Sequence, residues 1–238
     1  MRGTIVVLGG GGFSMSDDGF SLIDDHILDL TGKTRPRVCF VPTASGDADG
    51  YSKRFEDAFA DRAETSVLSL FCHDPWGYTD PRMILEQDVI YVGGGSTANL
   101  LAIWRLHGLP DLLSEAAENG TVLAGISAGM NCWFESSSTD SYGPLAPLPD
   151  GLGFVGGSAC PHYLGEPGRR EKYQRWVASS ELPDGYAIDD YAAVVFRDGA
   201  FVDAISEKPD RSVFRVRRDG DGACEDPVAV RLLGSTTS

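Results

Sequence analysis

The pentapeptide Gly125-Ile126-Ser127-Ala128-Gly129 follows the apolar run 121–124 and leads into a helix-compatible stretch, 128–134. A serine flanked by small residues between a strand and a helix is the arrangement in which Oγ projects from a tight, strained turn as a nucleophile. In that setting the Ala128 amide, at the helix start, faces a developing oxyanion. A second glycine loop, Gly93-Gly94-Gly95-Ser96-Thr97-Ala98-Asn99, also follows a strand and enters a helix. Gly93-x-Gly95-x-x-Ala98 fits the dinucleotide fingerprint. That use needs an acidic residue at the end of the next strand, however, and Glu115 and Glu118 fall within a helical pattern. Close backbone approach is the other use of such a loop, and it makes the Gly94 amide a second oxyanion donor opposite Ala128. Gly9-Gly10-Gly11-Gly12 lacks the Gly-Lys-Ser/Thr of a phosphate loop and is expected to wall the cleft.

A serine nucleophile needs a base and a group that orients the base. His162 is the only histidine after Ser127, whereas His26 and His107 belong to predicted helices and His73 begins a different loop. His162 is therefore the expected base. For the acid, Asp189 and Asp190 follow a strand-like segment, 186–188, and Asp140 is a further candidate. The order serine, histidine, acid differs from the serine, acid, histidine order of α/β-hydrolases and argues against that fold. There is no His-Glu-x-x-His, and the pairs Cys72-His73 and Cys160-Pro161-His162 have no partners at ligand spacing, so neither a metal nor a cofactor is expected.

The elements that must carry these residues read as one α/β domain over 1–238. Runs 4–8, 37–41, 65–70, 88–92 and 121–125 are nearly continuous apolar strands, and 20–30, 51–60, 97–107 and 109–119 have helical spacing. Alternation of the two predicts a mostly parallel sheet sandwiched between helices. After residue 180 short strands at 186–188, 192–196, 200–205, 212–217 and 228–233 are separated by Asp-Gly turns, predicting antiparallel strands added at the sheet's edge. The balance of 20 Lys and Arg against 35 Asp and Glu, a net charge of −15, argues against nucleic acid or an anionic membrane as partner. No apolar run approaches the roughly 20 residues that span a bilayer. The N-terminus has no secretory h-region, and the five cysteines are odd in number and widely spaced, so a reducing cytoplasm is expected.

Taken in order, Val41-Pro42-Thr43-Ala44-Ser45, Tyr91-Val92-Gly93-Gly94-Gly95-Ser96-Thr97, the Ser127 elbow, Pro161-His162 and Ile188-Asp189-Asp190 resemble the peptidase E and cyanophycinase group of serine peptidases. The resemblance implies a flavodoxin-like α/β fold similar to that of class I glutamine amidotransferases, with serine in place of cysteine. It makes Ser127 the nucleophile, His162 the base, and Gly94 and Ala128 the oxyanion donors. The family's third member, commonly glutamate, falls on Asp190, with Asp189 kept as the alternative. It also implies that Asp140 lines the substrate site and pairs with a peptide's amino terminus. Arg170, with Arg169 as second choice, would grip the carboxylate of an N-terminal aspartate. The implied activity is release of N-terminal Asp from short peptides. The alternatives are a cyanophycinase-like or non-Asp exopeptidase and a binding module without catalysis. The segment between His162 and Arg169 is shorter than in typical peptidase E. A short peptide is the expected partner, and a homo-oligomer is compatible with the sequence.

Overall fold

Strands buried on both faces need apolar side chains at nearly every position, and the Val- and Ile-rich runs of the N-terminal half supply them. The computed structural model describes residues 2–71 and 78–234; Cys72 and His73 lie outside the described residues. In it β1 (Thr4–Leu8), β2 (Arg37–Val41), β3 (Glu64–Val67), β4 (Val89–Val92) and β5 (Val122–Ile126) pair in parallel in the order β1-β5-β4-β2-β3. Helices α1 (Leu22–Asp29) and α2 (Asp49–Phe59) cover one face, where Ile27, Phe55 and Phe59 pack on Val6, Phe40 and Tyr91. Helices α3 (Thr97–Leu106) and α4 (Leu109–Glu118) cover the other, where Leu100, Trp104 and Leu113 pack on Val7, Val41 and Ile90. The alternation of Val6 and Val7 between the two cores is the period of two that a pleated strand imposes.

The C-terminal half departs from the expectation of a single extended sheet. After α5 (Ala128–Asn131) come β6 (Phe134–Thr139), β7 (Ala146–Leu148), β8 (Val155–Cys160), α6 (Arg169–Ala178) and β9 (Gly185–Ile188). These precede β10 (Ala192–Arg197), β11 (Ala200–Ser206), β12 (Val213–Asp219), β13 (Gly222–Val228) and β14 (Arg231–Leu232). Strand β10 adds antiparallel to β1, followed by β11 and β14, as the Asp-Gly turns predict. The remaining strands build a second sheet, β13-β12-β9-β8-β6-β7, in which β6, β8 and β9 are parallel. The helix expected over 128–134 stops at Asn131, because Trp133 and Phe134 turn into the core against Trp104, Phe154 and Phe196. Among the described residues no helix is long and apolar enough to cross a membrane.

One buried carboxyl ties the first glycine loop to the sheet. Asp24, on α1, is fully buried and accepts hydrogen bonds from the Phe13 amide at 2.6 Å and the Tyr91 hydroxyl at 2.7 Å. Burial outweighs both bonds and pushes its pKa up from 3.8 to about 7. The folded chain thus holds a proton that the unfolded chain releases above about pH 4, so this group lowers stability as pH rises from about 4 to about 7. Asp24→Asn removes the titration. The stability difference between variant and wild type is expected to move in the variant's favour across that window and then level off, by at most about 1.4 kcal/mol per pH unit. Urea denaturation at several pH values measures it.

Candidate active site

The glycines of the elbow are required by close packing. A Cβ on Gly125 would lie 2.1 Å from the Gly129 carbonyl oxygen, and one on Gly129 would lie 2.4 Å from that of Val92. Between them Ser127 takes φ 54°, ψ −108°, a conformation that costs a non-glycine residue on the order of 1–3 kcal/mol. The turn is held by the Ser127 amide, which donates to the Leu8 carbonyl at 3.1 Å, and by the Asn131 amide, which donates to the Ser127 carbonyl at 2.9 Å. Oγ is thereby presented at the carboxyl end of the parallel strands, where open α/β sheets place their ligands.

The second sheet brings up His162 and Asp190. Because β8 and β9 are adjacent and parallel, the residues just beyond their carboxyl ends, His162 and Asp190, arrive side by side. His162 Nε2 lies 2.9 Å from Ser127 Oγ, and Nδ1 lies 2.5 Å from Asp190 Oδ1. The bond from His162 holds the Asp190 carboxyl below its ordinary pKa, so it is a carboxylate and only accepts. Nδ1 therefore carries a proton, and in the neutral ring Nε2 is the free acceptor for the serine hydroxyl. The neighbouring Asp189 points elsewhere, accepting the amides of Leu164 at 2.9 Å and Ser212 at 3.1 Å, with its pKa raised by burial. Asp140 is also far from this role, being placed on the cavity rim beside Arg169. Gly10 makes the junction between the sheets. The Tyr191 amide donates to its carbonyl at 2.9 Å, and a Cβ there would lie 2.1 Å from Asp190 Oδ1.

Both expected oxyanion donors lie beside the serine. Ala128 opens α5, so its N–H has no partner within the helix. A Cβ on Gly94 would sit 3.4 Å from Ser127 Cβ, but the Gly94 N–H donates to the Tyr51 hydroxyl at 3.3 Å. An oxyanion must share that amide with Tyr51 or take it over, a partner the sequence did not reveal.

Ser127 and His162 open onto a cavity of about 190 Å³, also lined by Thr97, Asn131, Ser138, Asp140, Glu166 and Arg169. This is smaller than the roughly 300–1,000 Å³ of drug-sized sites and matches a single residue of a ligand. A larger depression of about 500 Å³ beside Asp18, Lys53 and Arg54 contains no nucleophile and base, so chemistry rather than size singles out the smaller one. Arg169, 4% exposed, lies within the cavity with Nε 2.8 Å from Glu166 Oε2 and Nη2 3.9 Å from Asp140. Arg170, the preferred choice from sequence, faces away. Adjacent residues on α6 point in different directions, and Arg170 is paired with Glu225 of β13 at 2.5 Å. Asn131 donates from Nδ2 to Thr97 Oγ1 and the Ser138 carbonyl, leaving its Oδ1 and Ser138 Oγ buried and unpartnered. Asn131 follows Ser127 at helical i,i+4 spacing, and Glu166 precedes Arg169 by one turn. Those spacings are the sequence signals for two residues the reading missed. Cys132 is buried with its thiol pKa pushed up, so it is an inert neighbour of the elbow. Among the described residues no group of three or more His, Cys, Asp or Glu side chains is placed to hold a metal ion.

Comparison with known proteins places the chain in context. The model of peptidase family S51 matches residues 5–203. The chain is 46% identical to an uncharacterized peptidase, YgaJ, of Bacillus subtilis over 97% of this chain and 99% of that one. It is 32% identical to peptidase E of Streptomyces coelicolor over 67% and 69% of the two chains. A crystal structure of a peptidase from an acI-B1 Actinobacterium shares the fold with a TM-score of 0.71 at 16% identity, over 97% of this chain and 95% of that one.

The two adjacent aspartates give a paired test. Asp190→Asn replaces the carboxylate with a neutral amide that can turn an N–H towards His162 Nδ1, so the tautomer with Nε2 free is no longer enforced, and peptide hydrolysis is expected to fall by roughly 10³–10⁴-fold with little change in Tm. Asp189→Asn leaves a backbone amide facing an NH₂ group and is expected to cost about 1–3 kcal/mol of stability instead. Steady-state kinetics and thermal melts of both variants separate the roles.

Proposed function

The chain belongs to peptidase family S51, and from that premise we propose that it is a serine peptidase that releases an N-terminal aspartate from short peptides. The observation that carries the chemistry is the continuous hydrogen-bonded chain from Ser127 Oγ through His162 to Asp190. Ser127 Oγ attacks the scissile carbonyl as its proton passes to His162 Nε2, and Asp190 stabilises the imidazolium formed. The tetrahedral oxyanion receives the amides of Ala128 and Gly94, the latter exchanging Tyr51 for the substrate oxygen. His162 then protonates the leaving amine, and water cleaves the acyl-enzyme with the same residues in reverse roles.

Specificity is read from the cavity. Its volume suits one residue on the amino side of the bond, which supports exo-action on a short chain over cleavage within a polymer. Asp140 is an acceptor suited to a free α-ammonium, and the Arg169 guanidinium is suited to an acidic side chain. A retained binding module has no need for a serine hydroxyl poised on an oriented imidazole.

Dipeptides beginning with Asp, Asn, Leu or Ala, each with a free and an acetylated amino terminus, provide the test. Wild type is expected to cleave the free Asp peptides, to reject the acetylated ones, and to lose a factor on the order of 10³ or more in Ser127→Ala. Near wild-type hydrolysis by a purified Ser127→Ala variant overturns the nucleophile. Cleavage of Leu and Ala peptides without Asp overturns the specificity.

A further inference from the structure

Arg169 is almost fully buried, and a guanidinium in that position requires a counter-charge. The chain supplies one itself. Glu166 Oε2 accepts from both Nε and Nη2 of Arg169, while the Asp140 carboxylate stands farther off at 3.9 Å. The side chains of Glu166 and Arg169 both line the cavity that opens on Ser127. With Asp140, Glu166 and Arg169 together, its formal charge at that end is negative before any substrate arrives. A substrate carboxylate entering beside Glu166 would add a second negative charge to a partly desolvated site, which is unfavourable unless one carboxylate leaves.

The geometry shows which one can leave. Glu166 sits on the turn between His162 and α6, where its amide donates to the His162 carbonyl at 3.1 Å, and its side chain is 48% exposed. Rotation of that side chain about its own bonds carries the carboxylate into water and leaves Arg169 in place. Arg169, 4% exposed at the start of α6, has no comparable freedom.

We propose that Glu166 is an internal stand-in for the substrate's acidic side chain: its carboxylate occupies Arg169 in the resting enzyme, and the carboxylate of an N-terminal aspartate replaces it there. This rests on the reading of Arg169 as the side-chain anchor. Glu166 then sets specificity by competition. It disfavours neutral residues, which cannot replace its charge on Arg169, and it weakens aspartate binding by the cost of its own displacement.

The test is the affinity of Asp-Leu and Asn-Leu for the Ser127→Ala protein with and without Glu166→Gln, by titration calorimetry. Glutamine keeps the length and one acceptor oxygen for Arg169 while removing the charge. Asp-Leu is expected to bind on the order of tenfold more tightly in Glu166→Gln, with a much smaller change for Asn-Leu. Glu166→Asp, which retains the charge on a shorter arm, is expected to fall between the two; it also serves if Glu166→Gln lowers the Tm. Unchanged or weaker Asp-Leu binding in Glu166→Gln, with wild type still preferring Asp peptides in hydrolysis, overturns the stand-in and spares the anchor. Equal binding of the two dipeptides in every background overturns both.

Discussion

Ser127 and His162 belong to different sheets, and the hydrogen bond between them depends on how closely those sheets approach at Gly10. Ser127 is carried by the parallel sheet, whereas His162 and Asp190 extend from neighbouring strands of the second. At the join the backbone of Gly10 bridges Asp190, and the space a side chain would fill is taken by the Asp190 carboxylate and the His162 ring. Any residue larger than glycine would force the carboxylate away from the imidazole. The bond between them sets the tautomer, so a methyl group at position 10 would reach the serine through two hydrogen bonds.

Around that junction the molecule stores strain where it is useful and offsets it with packing. Ser127 and His162 both have positive φ, at 54° and 52°, and each sits within two residues of the buried carboxyl end of a strand. The rigid elements behind them fix side-chain directions that isolated loops would not hold. The same logic governs the pair at the end of β9. Consecutive residues of an extended chain face opposite ways, so Asp190 meets the histidine and Asp189 ties down the backbone of Leu164 and Ser212.

The parallel half was legible because strands buried on both faces must be apolar, and five such runs stand out between helical spacings. Strands β6 and β8 were not, since Phe-Glu-Ser-Ser-Ser-Thr and Val-Gly-Gly-Ser-Ala-Cys lack the β-branched apolar pattern that marks a strand, although Ser136, Ser137 and Ser138 are buried. Ser127, His162, Asp190 and Asp140 were picked out by residue type and order, whereas Glu166, one turn before Arg169, was not. The choice between Arg169 and Arg170 was not, because it depends on where α6 begins and on Glu225, a partner from the distant β13. Tyr51 and Ser138 are neutral polar residues with no charge or motif to distinguish them from ordinary helix and strand positions, and Asn131 is marked only by its i,i+4 spacing from Ser127.

In the proposed mechanism Ser127 is a nucleophile activated by His162. A serine-directed phosphonate probe tests it without any assumption about substrate, with intact-mass and peptide mass spectrometry of wild type and His162→Ala. One adduct per chain is expected, on Ser127, and it is lost in His162→Ala. An adduct on another residue, or labelling of Ser127 undiminished without the histidine, would contradict it.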